Sequence, residues 1–202
     1  MNTLLQINAS LSGAGGQSSQ LAERFVADWL AQHPDGRVIK RDLAADPVPH
    51  LTAQRFQAFL TKPEGRTEEQ RAISDYSDAL IDELKSVDIV VFAVPMYNFS
   101  VPSTLRAYFD HIARAGVTFR YTATGPEGLL KGKKAYVFIT RGSVYTNASD
   151  TQTPYLQQFL GFIGITNVKF VFAEGLGLGD DSRQQSLAAA HHAIEELLPR
   201  AA

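Results

Sequence analysis

Short runs rich in β-branched and aromatic residues recur along the chain: Leu4 to Ile7, Val38 to Ile39, Ile89 to Val94, Tyr136 to Ile139 and Val168 to Phe172. Three of them are continuously apolar, the pattern of strands covered on both faces in a parallel sheet. Lys169 interrupts the last run and marks it as an edge strand. Between the runs lie stripes with the 3.6-residue period of helices. Leu21, Phe25, Val26, Trp29 and Leu30 make one; Ile73, Tyr76, Leu80, Ile81 and Leu84 make the next, behind Thr67 and Gln70 in capping-box spacing. Leu105, Phe109 and Ile112 follow Pro102, read as a first-turn proline; Leu156, Phe159, Leu160 and Ile163 follow Thr153-Pro154. Leu187, His191, Ile194 and Leu198 close the series, with Asp180 and Asp181 where a helix dipole favours acid. Strand and helix thus alternate about five times. That order predicts a three-layer α/β sandwich, a five-stranded parallel sheet with helices on both faces.

Two stretches break the rhythm. Residues 43–66 hold Pro47, Pro49 and Pro63 around a short helix expected over Ala53 to Leu60. In residues 115–133, Val117 to Tyr121 alternate with period two ahead of Gly125-Pro126. Excursions of this length in compact proteins are usually functional or mobile. With no internal repeat or low-complexity linker, residues 1–202 are expected to form one domain.

Composition narrows the function. A chain of 202 residues with 45% hydrophobic and 20% charged positions is neither disordered nor fibrous. Nineteen Lys+Arg against twenty-one Asp+Glu give 19 − 21 = −2. No basic excess exists for nucleic acid, and no cationic block for a membrane surface. The lack of cysteine excludes disulfides, iron–sulfur clusters, thiolate zinc sites and a Cys nucleophile. The first residues lack a positive leader and no run approaches the ~20 apolar residues of a membrane span, so the expectation is a cytoplasmic protein.

In open parallel sheets, ligands bind outside the carboxyl ends of strands where the strand order reverses. Ser10-Leu11-Ser12-Gly13-Ala14-Gly15-Gly16-Gln17-Ser18-Ser19 follows the first strand. Its glycines free backbone N–H groups to curl around an anion, and hydroxyls and a helix N-terminus add to them. The competing reading is a flexible turn with Ser18 or Ser19 as N-cap. No Gly-Lys-Ser/Thr follows, so a triphosphatase P-loop is absent. Gly13-Ala14-Gly15 begins like a dinucleotide fingerprint, with Asp42 in place to mimic its ribose-binding acid, but Ser18 stands where the third glycine belongs. After the third strand, Met96-Tyr97-Asn98-Phe99 offers apolar surface and a side-chain amide to a flat heteroaromatic ligand. The alternative is a turn whose aromatics plug the sheet end. After the fourth, Thr140-Arg141-Gly142-Ser143 allows close backbone approach; the alternative is a plain turn with Arg141 solvated. In a sheet of order 2-1-3-4-5 these three loops are neighbours around the switch point. One ligand with a phosphate tail and a flat ring spans them, and flavin mononucleotide (FMN) has that shape.

Gly116-Val117-Thr118-Phe119-Arg120-Tyr121, the Met96-Tyr97-Asn98-Phe99 loop and Phe159-Leu160-Gly161-Phe162-Ile163-Gly164-Ile165 resemble the bacterial FMN-dependent NADH:azoreductases, also called NADH:quinone oxidoreductases. The resemblance runs nearly end to end. It implies a flavodoxin-like fold and a homodimer with one tightly bound FMN per subunit, each near the dimer interface. It also implies hydride transfer from NADH or NADPH, with electrons passed to quinones or to aromatic azo compounds, which are cleaved to amines. Carried over by position, the flavin contacts are Ser10, Gly16, Gln17, Ser18, Met96, Tyr97, Asn98, Phe99, Thr140, Arg141, Gly142 and Ser143. Two departures stand out. Gly16 replaces the first serine of a Ser-x-Ser pair, and Ser143 replaces the second glycine of Arg-Gly-Gly, a strained substitution if that position requires positive φ.

The expected mechanism is ping-pong: nicotinamide and acceptor use one flavin face in turn, with N–H groups of the 140–143 loop stabilising the charge of the reduced ring. No catalytic side chain and no metal ligand are assigned. Phe99, Phe119, Tyr121 and Phe162 are the candidates for an acceptor pocket, assembled from one subunit or two. His111 reads as a structural or interface histidine, and Gly175 to Gly179 as a turn more than a pocket rim. The rival from another class is a non-enzymatic electron carrier of flavodoxin type, which the net charge of −2 disfavours because carriers usually present a strongly acidic docking face.

Overall fold

The computed structural model describes residues 3–198. In chain order it contains β1 (Thr3–Asn8), α1 (Gln17–Gln32), β2 (Arg37–Asp42), α2 (Ala53–Leu60), α3 (Glu68–Lys85), β3 (Ile89–Pro95) and α4 (Ser103–Ile112). There follow β4 (Phe119–Thr122), β5 (Gly125–Gly128), β6 (Lys134–Thr140), α5 (Gln152–Ile163), β7 (Asn167–Ala173) and α6 (Asp180–Leu197). Five strands pair in parallel in the order β2-β1-β3-β6-β7. Counting only these five, the order is the expected 2-1-3-4-5, with the reversal between β1 and β3.

The sheet is covered on both sides because its residues alternate between two apolar clusters. Leu5, Ile7, Val90, Phe92, Val94, Val137 and Ile139 pack under α3, α4 and α5, whose contributions include Leu80, Phe109 and Leu160. Leu4, Val91, Ala93, Phe138 and Val171 face α1 and α6, which supply Phe25, Trp29 and Ile194. The capping box on α3 forms: Thr67 Oγ1 accepts from the Gln70 N–H at 3.2 Å, and the Gln70 side chain accepts from the Thr67 N–H at 3.1 Å. Pro102 is the N-cap of α4, one position earlier than expected.

One correction concerns residues 115–133. They hold a second, antiparallel sheet of two strands, β4 and β5. Leu129 N–H donates to Thr118 O, and Leu130 N–H to Ile163 O, so the hairpin is docked on the end of α5. That docking depends on glycine. A Cβ on Gly128 would stand 2.1 Å from the Gly164 backbone nitrogen, and Gly164 ends α5 at φ 105°.

Candidate functional site

The loop after β1 curls back on itself. Ser10 O accepts from the Gly13 N–H, Ser12 O from Gly15 and Gly13 O from Gly16. The α1 helix begins immediately after, with Gly16 as N-cap and no capping side chain. Neither Ser18 nor Ser19 is the N-cap; both lie inside the first turn. The first-turn N–H groups of Gln17, Ser18 and Ser19 therefore have no intrahelical acceptors. The hydroxyls of Ser18 and Ser19 are buried without a hydrogen-bond partner. Buried donors left unsatisfied are costly, and here they converge at the positive end of a helix dipole. The start of α1 thus offers a set of donors without acceptors, as an anion site requires. Gly16 is packed for its lack of a side chain: an added Cβ would stand 2.1 Å from Ser10 Oγ. A serine there would require Ser10 to move, so the missing hydroxyl is matched by a closer approach of backbone to Ser10.

Asp42 takes another part than the one a dinucleotide site would give it. Its carboxylate accepts from the N–H groups of Ala44 at 2.9 Å and Ala45 at 3.3 Å, closing the turn after β2.

The loop after β3 is tied to its neighbours on both sides. Met96 N–H donates to Thr140 O at 2.8 Å, joining the ends of β3 and β6. Tyr97 and Ser100 exchange backbone hydrogen bonds across a tight turn, and the Tyr97 hydroxyl accepts from the Leu11 N–H at 3.2 Å. Asn98 and Phe99 occupy that turn with φ of 51° and 65°. Left-handed backbone is uncommon for a non-glycine residue and a genuine outlier for a bulky one. Phe99 O accepts from Thr151 Oγ1, and the Phe99 ring meets Tyr145 edge-on at 6.4 Å. Leu11, Met96, Tyr97, Asn98 and the first turn of α4 line a cavity of about 630 Å³, within the size range of cofactor sites.

The loop after β6 departs most from expectation. Arg141 is buried, not solvated, with 2% of its surface exposed. Its guanidinium pairs with Asp150 at 2.8 Å and Glu174 at 2.9 Å, and donates to Gln152 and Thr153. Its N–H donates to Ala173 O and its carbonyl accepts from Leu176 N–H. The polar groups of Arg141 are engaged within the protein, so its side chain holds the loop. Burial pushes the Asp150 carboxyl up, but hydrogen bonds from Thr153 and Arg141 outweigh it and keep it below the ordinary carboxylate range. The Gly142 and Ser143 N–H groups enter none of the backbone hydrogen bonds that order this loop. Neither residue has positive φ, so Ser143 carries no backbone strain.

The glycine segment after β7, expected to be a simple turn, is a buttress. Gly175, Leu176 and Gly177 donate their N–H groups to the carbonyls of Ser143, Arg141 and Gly142. Neither this ladder nor the Arg141 partners were legible in the sequence, because each lies nine or more residues from the loop it holds.

The four candidate pocket aromatics divide into two groups. Phe119 packs on Phe162 at 4.2 Å, and Tyr121 meets Phe119 edge-on at 5.6 Å. Phe99 has Tyr145 as its ring neighbour instead. Phe162 also lines an open cleft with Tyr155, Gln158 and Phe159. His111 is fully buried, its Nδ1 2.9 Å from the Ala107 carbonyl oxygen, in accord with a structural part.

A family model described as "Flavodoxin-like fold" matches residues 2–198. A protein of Cellvibrio japonicus named FMN-dependent NADH:quinone oxidoreductase is 53% identical over 197 residues, covering 97% of this chain and 98% of the other. One of the same name from Burkholderia thailandensis is 54% identical over 195 residues, 96% and 98% of the two chains. The crystal structure of an FMN-dependent NADH-azoreductase from Bacillus anthracis, in complex with FMN, superimposes with a TM-score of 0.86 at 27% identity, covering 98% of this chain and 100% of that one.

Proposed function

The chain belongs to the flavodoxin-like family of FMN-dependent NADH:quinone oxidoreductases and azoreductases, and from that premise we propose that it binds one FMN per subunit as a single domain and reduces quinones and aromatic azo compounds in the cytoplasm. It is an FMN-dependent oxidoreductase. The observation that carries the site assignment is the convergence of the three loops: orphaned hydroxyls and N–H groups at the start of α1, the strained aromatic turn after β3 and the unengaged N–H groups after β6.

FMN, when bound, supplies the redox chemistry, accepting a hydride from NADH and passing two electrons to a quinone or an azo bond. The protein positions and tunes. Ser10, Gly16, Gln17 and Ser18 hold the phosphate through uncharged donors, with Gly16 giving the room for close approach. Met96 to Phe99 form one wall of the ring site. The Gly142 and Ser143 N–H groups meet the ring edge where charge accumulates on reduction; Thr140 and Arg141 fix that loop from the sheet. Donor and acceptor occupy one slot in turn, and cleavage of an azo bond to two amines consumes two such deliveries. Water protonates the products, so no side chain is required as acid or base.

The acceptor pocket is completed by a second copy of the chain. Phe119, Tyr121 and Phe162 gather at the docked hairpin apart from Phe99, beside the open apolar face of Tyr155 and Phe159. Two copies related by symmetry bring that cluster of one subunit to the Phe99 loop of its partner.

The test is spectroscopic. Apoprotein titrated with FMN takes up one equivalent, NADH bleaches the yellow protein without oxygen, and a quinone restores the colour. Steady-state double-reciprocal plots are parallel. Flavin that bleaches but is not turned over by quinone would identify an electron carrier instead, and protein that takes up no FMN would end the assignment.

A further inference from the structure

The Arg141 cluster does more than hold a loop. It gathers one guanidinium and two carboxylates beside the segment whose Gly142 and Ser143 N–H groups enter no backbone hydrogen bond: Asp150 at 2.8 Å, Glu174 at 2.9 Å and an Arg141 side chain 1% exposed. The charges do not cancel; one positive against two negative leaves the cluster net negative. Both carboxylates also touch the loop architecture directly. Glu174 Oε1 accepts from the Tyr145 N–H at 3.4 Å, and Asp150 Oδ1 accepts from the N–H groups of Gln152 and Thr153 at the head of α5. Arg141 further lies 5.4 Å from the ring centroids of both Tyr145 and Phe172. The guanidinium is buried and the carboxylates are only 14% and 23% exposed, so the cluster is screened less than a surface pair and its field reaches its neighbours at more than its aqueous strength.

The geometry points to Arg141, Asp150 and Glu174 as a charge-setting group for the bound cofactor, in which the excess carboxylate holds the reduction potential low. This rests on the reading that the isoalloxazine edge lies against Gly142 and Ser143. Hydride uptake adds one negative charge to the ring system. A net negative cluster behind the loop opposes that charge, while the Gly142 and Ser143 N–H groups stabilise it. The cofactor is thereby kept a ready electron donor to acceptors. Arg141 is a positioning residue in this scheme: it allows two partly buried carboxylates to sit side by side and keeps the N–H groups aimed.

Two near-isosteric variants separate this from a purely structural clamp. Glu174→Gln keeps an acceptor oxygen for the Tyr145 N–H, and Asp150→Asn keeps one for the head of α5; each removes a negative charge. The potential of FMN-loaded wild type and of both variants is measured against a reference dye under equilibrium reduction. Both variants are expected to favour the reduced form by up to tenfold in the ratio of reduced to oxidised flavin, about 30 mV for a two-electron couple. Arg141→Lys keeps the charge without the fork that reaches both carboxylates. It is expected to weaken FMN uptake by apoprotein while shifting the potential less than either carboxylate variant. Unchanged potentials in Glu174→Gln and Asp150→Asn with flavin still bound would overturn the inference, and either variant alone decides it if the other fails to fold. Wild-type protein that takes up no FMN would sink the underlying reading as well.

Discussion

Phe99, a residue 67% exposed, carries its backbone at φ 65°, a conformation that costs an L-residue about 1–2 kcal/mol. Little burial offsets that cost. Phe99→Gly is therefore expected to raise Tm by a few degrees, as ~1 kcal/mol does in a chain of this size, while quinone turnover falls several-fold. A lower Tm would show instead that the contact with Tyr145 stabilises the turn. His111 offers a second test. Burial lowers its pKa, with the Arg55 and Arg114 charges acting the same way and the Ala107 carbonyl and Asp110 opposing. The folded protein thus holds fewer protons on this ring than the unfolded chain does. Stability is full above about pH 6.5, the ordinary histidine value, and declines as pH falls toward the lowered folded pKa. Thermal melts of wild type between pH 7.5 and 5.5 should show that slope, and His111→Gln should flatten it.

The hairpin of β4 and β5 is held to α5 by close backbone contact at Gly128 and Gly164 and by the Phe119 ring packed on Phe162. Gly128→Ala forces two backbones apart and is expected to cost about 1–3 kcal/mol, in the range of overpacking in a well-filled interior. Urea denaturation measures that loss. The acceptor KM should rise as Phe119 leaves Phe162, and FMN affinity should hold, since neither strand reaches the three loops. The element also shows where sequence reading ends. Three of the five parallel strands were legible as continuous apolar runs because burial on both faces forces them, and α3 because its stripe and its capping box agree. Gly125-Pro126-Glu127-Gly128 has no apolar period at all. It is a strand because Gly128 fits where no side chain can, a condition set by α5 some thirty-five residues later. The loop after β3 was legible as an aromatic segment, but its strained backbone was not, since nothing in Asn98-Phe99 announces positive φ. Arg141 was read in the right place, but its burial was not legible, because its carboxylate partners are Asp150 just before α5 and Glu174 just after β7.

At the scale of the whole molecule, an apolar face stands open at Tyr155, Phe159 and Phe162, and the proposed acceptor pocket would draw its groups from two places. Light scattering is expected to give the mass of two chains, and dilution below the dimer dissociation constant should abolish turnover while FMN stays bound. A monomer with full activity would overturn the shared pocket. The loops after β1, β3 and β6 are meanwhile braced by protein contacts: Tyr97 to Leu11, Met96 to Thr140, Phe99 to Thr151, and the Gly175 to Gly177 ladder. Loops held in register by such contacts make a testable case: apoprotein is expected to take up FMN and gain quinone turnover on simple mixing, without refolding.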